Sequence, residues 1–168
     1  MTDSKQRVID ALEALGLPFE RITIDPAHAD TAVFCAHYGY PPETSGNTII
    51  VASKKEPKKF VACVVLATTQ LDVNKRVRKL MGVSKASFAS AEEMHALTGM
   101  EVGGVTPFSL PADMPLYVDS RVMELETVIL GGGGRSLKIG ISPTVFHKLG
   151  AEVVADLGIR RPVIETKA

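Results

Sequence analysis

Leu97-Thr98-Gly99-Met100-Glu101-Val102-Gly103-Gly104-Val105-Thr106-Pro107-Phe108 is the stretch on which the reading of this chain turns. Three glycines and one proline fall within the nine residues 99–107. Glycine reaches positive φ and lets a ligand or another backbone come close, whereas proline fixes φ at about −65° and has no amide hydrogen. A loop built this way takes its shape from its backbone and can present a row of N–H groups to an oxyanion or carbonyl. A second such element follows at Leu130-Gly131-Gly132-Gly133-Gly134-Arg135-Ser136, where a strand runs into four glycines. Two readings of it stay open: a tight hairpin turn, or part of a pocket that reads its ligand through backbone groups.

Outward from these loops the sequence alternates short helices and strands. Residues 4–15 read as a helix with Val8, Leu12 and Leu15 on one stripe and Gly16 as its stop. Phe19, Ile22 and Ile24 read as a strand closed by Asp25-Pro26, and 31–38 as a short helix ended by Gly39. The β-branched runs 48–52 and 60–67, joined by 53–59, predict an antiparallel hairpin. Residues 72–81 read as a helix with a basic face, and Ser90 with Glu93 spells a capping box. Strands are expected at 116–118, 127–130, 137–141 and 152–155, with Ser142-Pro143 opening a helix that runs to Leu149. The tail from Gly158 reads as loosely held. No repeat and no linker interrupts the chain, so residues 1–168 are expected to form one α+β domain with a mixed sheet.

Composition narrows the function classes. At 45% apolar, the 168 residues can bury a substantial core. No apolar run approaches the roughly 18 residues of a membrane span, and the first 16 residues are amphipathic and lack a signal-peptide apolar region. The expected location is the cytoplasm, with no membrane partner. Cys35 and Cys63 have apolar neighbours and no C-x-x-C spacing, as buried reduced thiols do. His28, His37, His95 and His147 lack metal-ligand spacing, so neither metal nor cofactor is expected. The glycines at 131–134 precede no Gly-Lys-Ser/Thr and lead into strand, which excludes a P-loop and a dinucleotide fingerprint. Ser109 and Ser136 lack a nucleophile-elbow context. Charge is balanced overall yet segregated: residues 54–85 hold nine Lys or Arg against Glu56 and Asp72, a local +7 set against −7 elsewhere. Such a patch steers a polyanion to one face.

The order and wording of these elements resemble the YbaK and prolyl-tRNA-editing family of aminoacyl-tRNA deacylase domains over roughly residues 20–150. The resemblance is carried by Ala32 with Tyr38-Gly39, the strand Thr48 to Val51, Thr98-Gly99, the G-x-x-x-P loop at Gly103 to Pro107 with Phe108, Asp119, and the glycines at 131–134. It implies a mixed, partly barrel-like sheet with helices packed outside it. It also implies hydrolysis, in trans, of the ester joining a wrong small amino acid to the tRNA 3′ ribose. In that picture Asn47 and the backbone of Gly103, Gly104, Val105, Thr106 and Pro107 are the catalytic candidates. Asp119, Gly132, Gly133, Phe108 and His28 are candidates for substrate contact; Asp119 reads equally as the cap of the turn 119–122. Lys54, Lys55, Lys58, Lys59 and Arg76 are the candidate RNA contacts. The neighbouring 2′-OH of the tRNA helps place the attacking water. The partners implied are mischarged tRNA, met at its acceptor end, and an aminoacyl-tRNA synthetase as a further candidate; no DNA partner is expected.

One departure bears on activity. Many members carry a Lys immediately before the Thr or Ser of the first hairpin strand, and here that position is Asn47. Asn can hydrogen-bond a hydroxyl or a water but supplies no positive charge. Three readings stay open: altered amino-acid specificity, weakened activity, or a non-catalytic module that binds aminoacyl-tRNA or a synthetase.

Overall fold

The computed structural model describes residues 4–160. Helix α1 (Ser4–Leu15) turns its buried Val8, Ile9 and Leu12 inward and ends at Gly16, which adopts positive φ. Strand β1 (Phe19–Thr23) follows, then α2 (Thr31–Tyr38), closed by a left-handed Gly39. The expected hairpin forms from β2 (Gly46–Ser53) and β3 (Phe60–Leu66), paired from Gly46 with Leu66 to Ala52 with Phe60. Strand β4 (Thr69–Leu71) and β5 (Ala86–Phe88) are too short to show a period in the sequence. Between them lies a corrected element. Residues 73–77 form a wide π-helical turn, with the Val77 amide donating to the Asp72 carbonyl (3.0 Å), and only Arg78–Met81 (α3) is α-helical. Val73 and Val77 are both buried on the inner side of this turn.

The capping box at Ser90 and Glu93 is present and starts α4 (Ala91–Thr98). Strands β6 (Leu116–Asp119), β7 (Val128–Gly131) and β8 (Leu137–Ile141) follow. Helix α5 (Val145–Lys148) begins later than expected, because the chain enters it through i→i+3 turns, the Val145 amide donating to the Ser142 carbonyl (3.1 Å) and the Phe146 amide to that of Pro143 (3.0 Å), while the Ser142 hydroxyl takes the Thr144 amide (3.3 Å). The last strands are β9 (Glu152–Val154) and β10 (Gly158–Arg160). Residues 158–160 are therefore not loose, since β10 pairs with β4; the remainder of the expected tail lies outside the described residues.

The fold is α+β, with three sheets. A mixed five-stranded sheet runs β5-β2-β3-β6-β9, an antiparallel sheet runs β1-β8-β7, and β10 pairs with β4. Within the large sheet β2 is antiparallel to β3 and β5, whereas β3–β6 and β6–β9 are parallel. The two larger sheets are joined by a parallel bridge, Ser45 with Ile129, and do not close into a barrel. Phe108, Phe146, Met100, Leu12, Val64 and Ile139 fill the space between them with essentially no exposure. Among the described residues no helix is long and apolar enough to cross a membrane.

Candidate active site

The two glycine-rich loops form one structure. The Gly133 amide donates to the Gly104 carbonyl over 2.7 Å. A Cβ on Gly104 would lie 2.5 Å from the Gly134 carbonyl oxygen, and one on Gly131 would lie 2.5 Å from the Val105 oxygen. Backbone is packed on backbone with no room for a methyl group between. The glycines at 132 and 133 therefore serve this contact and the seat of α1: a Cβ on Gly133 would collide with Ser4 and Val8, one on Gly132 with Leu137. Neither residue lines the cavity beside these loops.

What the paired loops enclose is a cavity of about 560 Å³, within the usual range for small-ligand sites. Its walls come from the start of α2 (Asp30, Thr31, Ala32), from β2 (Gly46 to Ile50), from Phe88 and Met94, from Val102, Gly103 and Val105, and from Gly131 and Lys138. A second cavity of about 400 Å³, reaching Cys35, Tyr40 and Thr68, adjoins it and shares Thr31, Ala32 and Asn47. Asn47 thus stands at the junction. Its Oδ1 accepts a hydrogen bond from Thr31 Oγ1 (2.7 Å), which leaves Nδ2 as the group Asn47 can donate.

The loop at 102–105 has a definite polarity. The Val102 carbonyl accepts from Arg135 Nη1 (2.7 Å), the Gly103 carbonyl from Lys138 Nζ (3.4 Å) and the Gly104 carbonyl from Gly133. In a planar trans peptide the N–H points opposite to the C=O. The amides of Gly103 and Val105 accordingly point away from the β7–β8 hairpin, and neither has a hydrogen-bond partner among the described residues. The Gly104 amide is already engaged, donating to the Glu101 carbonyl (2.9 Å). Gly103 itself sits at φ +87°, with Arg135 where a side chain would go.

The other expected site residues separate. Thr106 and Phe108 are fully buried, and neither they nor Pro107 line the cavity. Asp119 is buried at the end of β6, where its carboxylate accepts from the Arg121 amide (2.9 Å) and the Gly158 amide (2.7 Å). It caps its turn and fastens β10, away from the cavity. His28 lies beside α2, stacked on His37 with centroids 3.8 Å apart and 3.4 Å from Tyr38 Oη, also outside the cavity wall. Lys54, Lys55, Lys58 and Lys59 are exposed on the β2–β3 turn; Lys58 pairs with Glu93 at 3.1 Å. The Arg76 guanidinium donates to the Ala155 carbonyl from Nε (3.1 Å) and Nη2 (2.7 Å).

Lys138 is the site residue that the sequence reading passed over. It lies on β8, the central strand of its sheet, and is only 5% exposed. Burial pushes its pKa down, an effect opposed by Cys35 and Asp30 and reinforced by Arg135. The available signal was one Lys in the apolar strand Leu137 to Ile141. By period-2 alternation it reads as an outward-facing position.

A model of the aminoacyl-tRNA editing domain matches residues 25–149. The chain belongs to this family. EbsC of Enterococcus faecalis, described as a candidate Cys-tRNA(Pro)/Cys-tRNA(Cys) deacylase, is 25% identical over 101 residues, which are 60% of this chain and 59% of that protein. The chain spans between 55% and 59% of the length of the curated relatives it matches first. Among solved structures, that of the hypothetical protein APE2540 superposes with a TM-score of 0.81 at 28% identity, covering 91% of this chain and 99% of that one. A candidate trans-editing enzyme for prolyl-tRNA synthetase superposes at 0.78 and 22% identity, covering 92% and 97%, a likeness of fold.

Proposed function

We propose that this editing-family member hydrolyses, in trans, the ester of a tRNA mischarged with a small amino acid. The single observation that carries this reading is the pair of unpartnered amides, Gly103 and Val105, on the wall of a cavity that Asn47 also lines. An aminoacyl ester is already activated, so the protein need only hold it, admit one water and stabilise the oxyanion. Preorganised amides do this without reorganising during the reaction, and losing one such donor costs on the order of 3 kcal/mol. Asn47 Nδ2 is placed to hold a ribose hydroxyl or the water. The neighbouring 2′-OH of the tRNA helps position that water. The apolar wall of Ile49, Ile50, Met94 and Val105 accepts a small side chain by shape; each methylene of difference is worth about 1–3 kcal/mol.

The approach of the RNA follows from the edge of the cavity. Phe88 is 58% exposed and lines the cavity, and the Lys54 amide donates to the Lys85 carbonyl (3.1 Å) just ahead of β5, the strand that carries Phe88, which supports an approach past this ring and the lysines of the β2–β3 turn. Exposed aromatic rings stack unpaired bases, and lysines bind the phosphates between them.

The test is ester loss from tRNAs charged with alanine, serine, threonine, cysteine and proline. Rapid release of one small amino acid is expected. Tight binding of charged tRNA with no ester loss above the spontaneous rate would replace the enzyme by the binding module that Asn47 left open.

A further inference from the structure

We propose that the Lys138 ammonium is the electrophilic group of this cavity, hydrogen-bonding the ester carbonyl oxygen and stabilising its negative charge as water attacks. This rests on the deacylase reading and assigns a catalytic role to a side chain outside the glycine loop.

Four observations converge. Lys138 is 95% buried by its 5% residual exposure, yet it lines the cavity. A buried ammonium is costly unless it is paired, and among the described residues Lys138 makes no ion pair. Asp30, the carboxylate that acts on it, sits at the mouth with its side chain 68% exposed and 3.7 Å from Arg135. The contacts that Lys138 does make are weak: the Gly103 carbonyl at 3.4 Å, the long limit of a hydrogen bond, and the face of Phe34 at 5.5 Å from the ring centroid. An ammonium has three donors, so most of its capacity is unspent. Finally, it lines the same cavity as Gly103 and Val105, whose amides are unpartnered, and its Nζ lies 3.4 Å from the Gly103 carbonyl.

The reaction balances without a cofactor. The water oxygen bonds to the carbonyl carbon, and the C=O π pair moves onto the oxygen facing Lys138. The carbonyl re-forms as the C–O bond to ribose breaks, its electron pair leaving with the ribose oxygen. A proton from the water ends on that ribose oxygen, giving free amino acid and tRNA. Lys138 keeps its protons throughout.

A group that strengthens its contact only in the transition state shows in kcat and not in KM. Lys138→Met keeps the length of the side chain and removes the charge; Lys138→Gln keeps a donor and serves if the first variant misfolds. Each is assayed at saturating and limiting charged tRNA against the wild type, with thermal melting alongside. The expected result is a loss of kcat of about a hundredfold or more, KM within about threefold, and an undiminished Tm. Unchanged kcat in a folded variant overturns the inference and reduces Lys138 to packing. A loss confined to KM also overturns it, marking an anchor for a phosphate. A wild type inactive on every charged tRNA overturns the deacylase reading and this inference together, whereas an active wild type with an equally active variant overturns this inference alone.

Discussion

Gly133 donates its amide to the Gly104 carbonyl over 2.7 Å, and this bond holds together two loops that are 29 residues apart (133 − 104). The same pair explains why glycine stands at both places. Gly104→Ala would press a methyl group to within 2.5–2.7 Å of three backbone atoms of Gly134, none of which can rotate away. We expect a loss of about 1–3 kcal/mol, the usual cost of overpacking, measured as a lower denaturant midpoint. Deacylation should fall further than stability does, because the shift moves the Gly103 and Val105 amides.

Asn47 and Thr31 make a second prediction. Thr31 Oγ1 holds Asn47 Oδ1 at 2.7 Å and so fixes which end of the amide faces the cavity. Thr31→Val should free the amide to turn and lower kcat/KM by about fivefold, equivalent to one hydrogen bond of roughly 1 kcal/mol. Asn47→Ala should lower it by at least as much. If Thr31→Val leaves kcat/KM intact while Asn47→Ala does not, the orientation is set by something else.

A third concerns RNA. Phe88 is exposed at the cavity rim, and Phe88→Ala should weaken binding of charged tRNA by about 1–3 kcal/mol, the worth of one base stacked on an aromatic ring. Reversing Lys54 and Lys55 to Glu should weaken binding and flatten its dependence on salt. Filter binding at several salt concentrations reads both.

The fourth is the pH dependence of stability. Burial lowers the pKa of Lys138 below its ordinary value, with Arg135 in the same direction and Cys35 and Asp30 opposed. A lowered lysine pKa means that the folded state binds the proton less well than the unfolded chain. The penalty is complete below the folded pKa and disappears as pH rises through it toward the unfolded value, so this group makes stability rise with pH there. Lys138→Met should be more stable than wild type near neutrality, and the difference should shrink toward alkaline pH. Chemical denaturation across that range checks it; a constant difference would contradict the assignment.

The fifth prediction uses Cys63, whose pKa burial raises from 9.0 to about 12. The thiolate is the reactive form, so native protein at pH 8 should resist alkylation at Cys63, while denatured protein reacts. Mass spectrometry of peptides labelled before and after denaturation distinguishes the two.

Much of this architecture was legible in the sequence because it rests on local signals. The β2–β3 hairpin shows as two β-branched runs, α4 as a capping box, and α2 by the glycine that ends it. The G-x-x-x-P loop was also found, since glycine and proline report backbone shape directly. What escaped depends on distant partners. Strands β4, β5 and β10 are three residues each and exist through pairing. From sequence Asp119 reads equally as a cap and as a site residue, because the distant Gly158 amide that its carboxylate takes (2.7 Å) leaves no local signal. Lys138 follows the alternation of an exposed face, and α2 is what covers that face. Gly132 and Gly133 were indistinguishable from ligand-binding glycines until Ser4 and Val8 were seen against Gly133 and Leu137 against Gly132.

The cavity draws its walls from residues 30–32, 46–50, 88, 89, 91, 94, 102, 103, 105, 131 and 138. Contacts that span so much of the chain form late, after the cost of closing long loops has been met. A growing chain that ends before β8 has no Lys138 and no hairpin to hold Gly104. A copy cleaved ahead of residue 137 lacks β8 altogether, and with it both Lys138 and the strand against which β7 is paired, so the cavity is left open on that side.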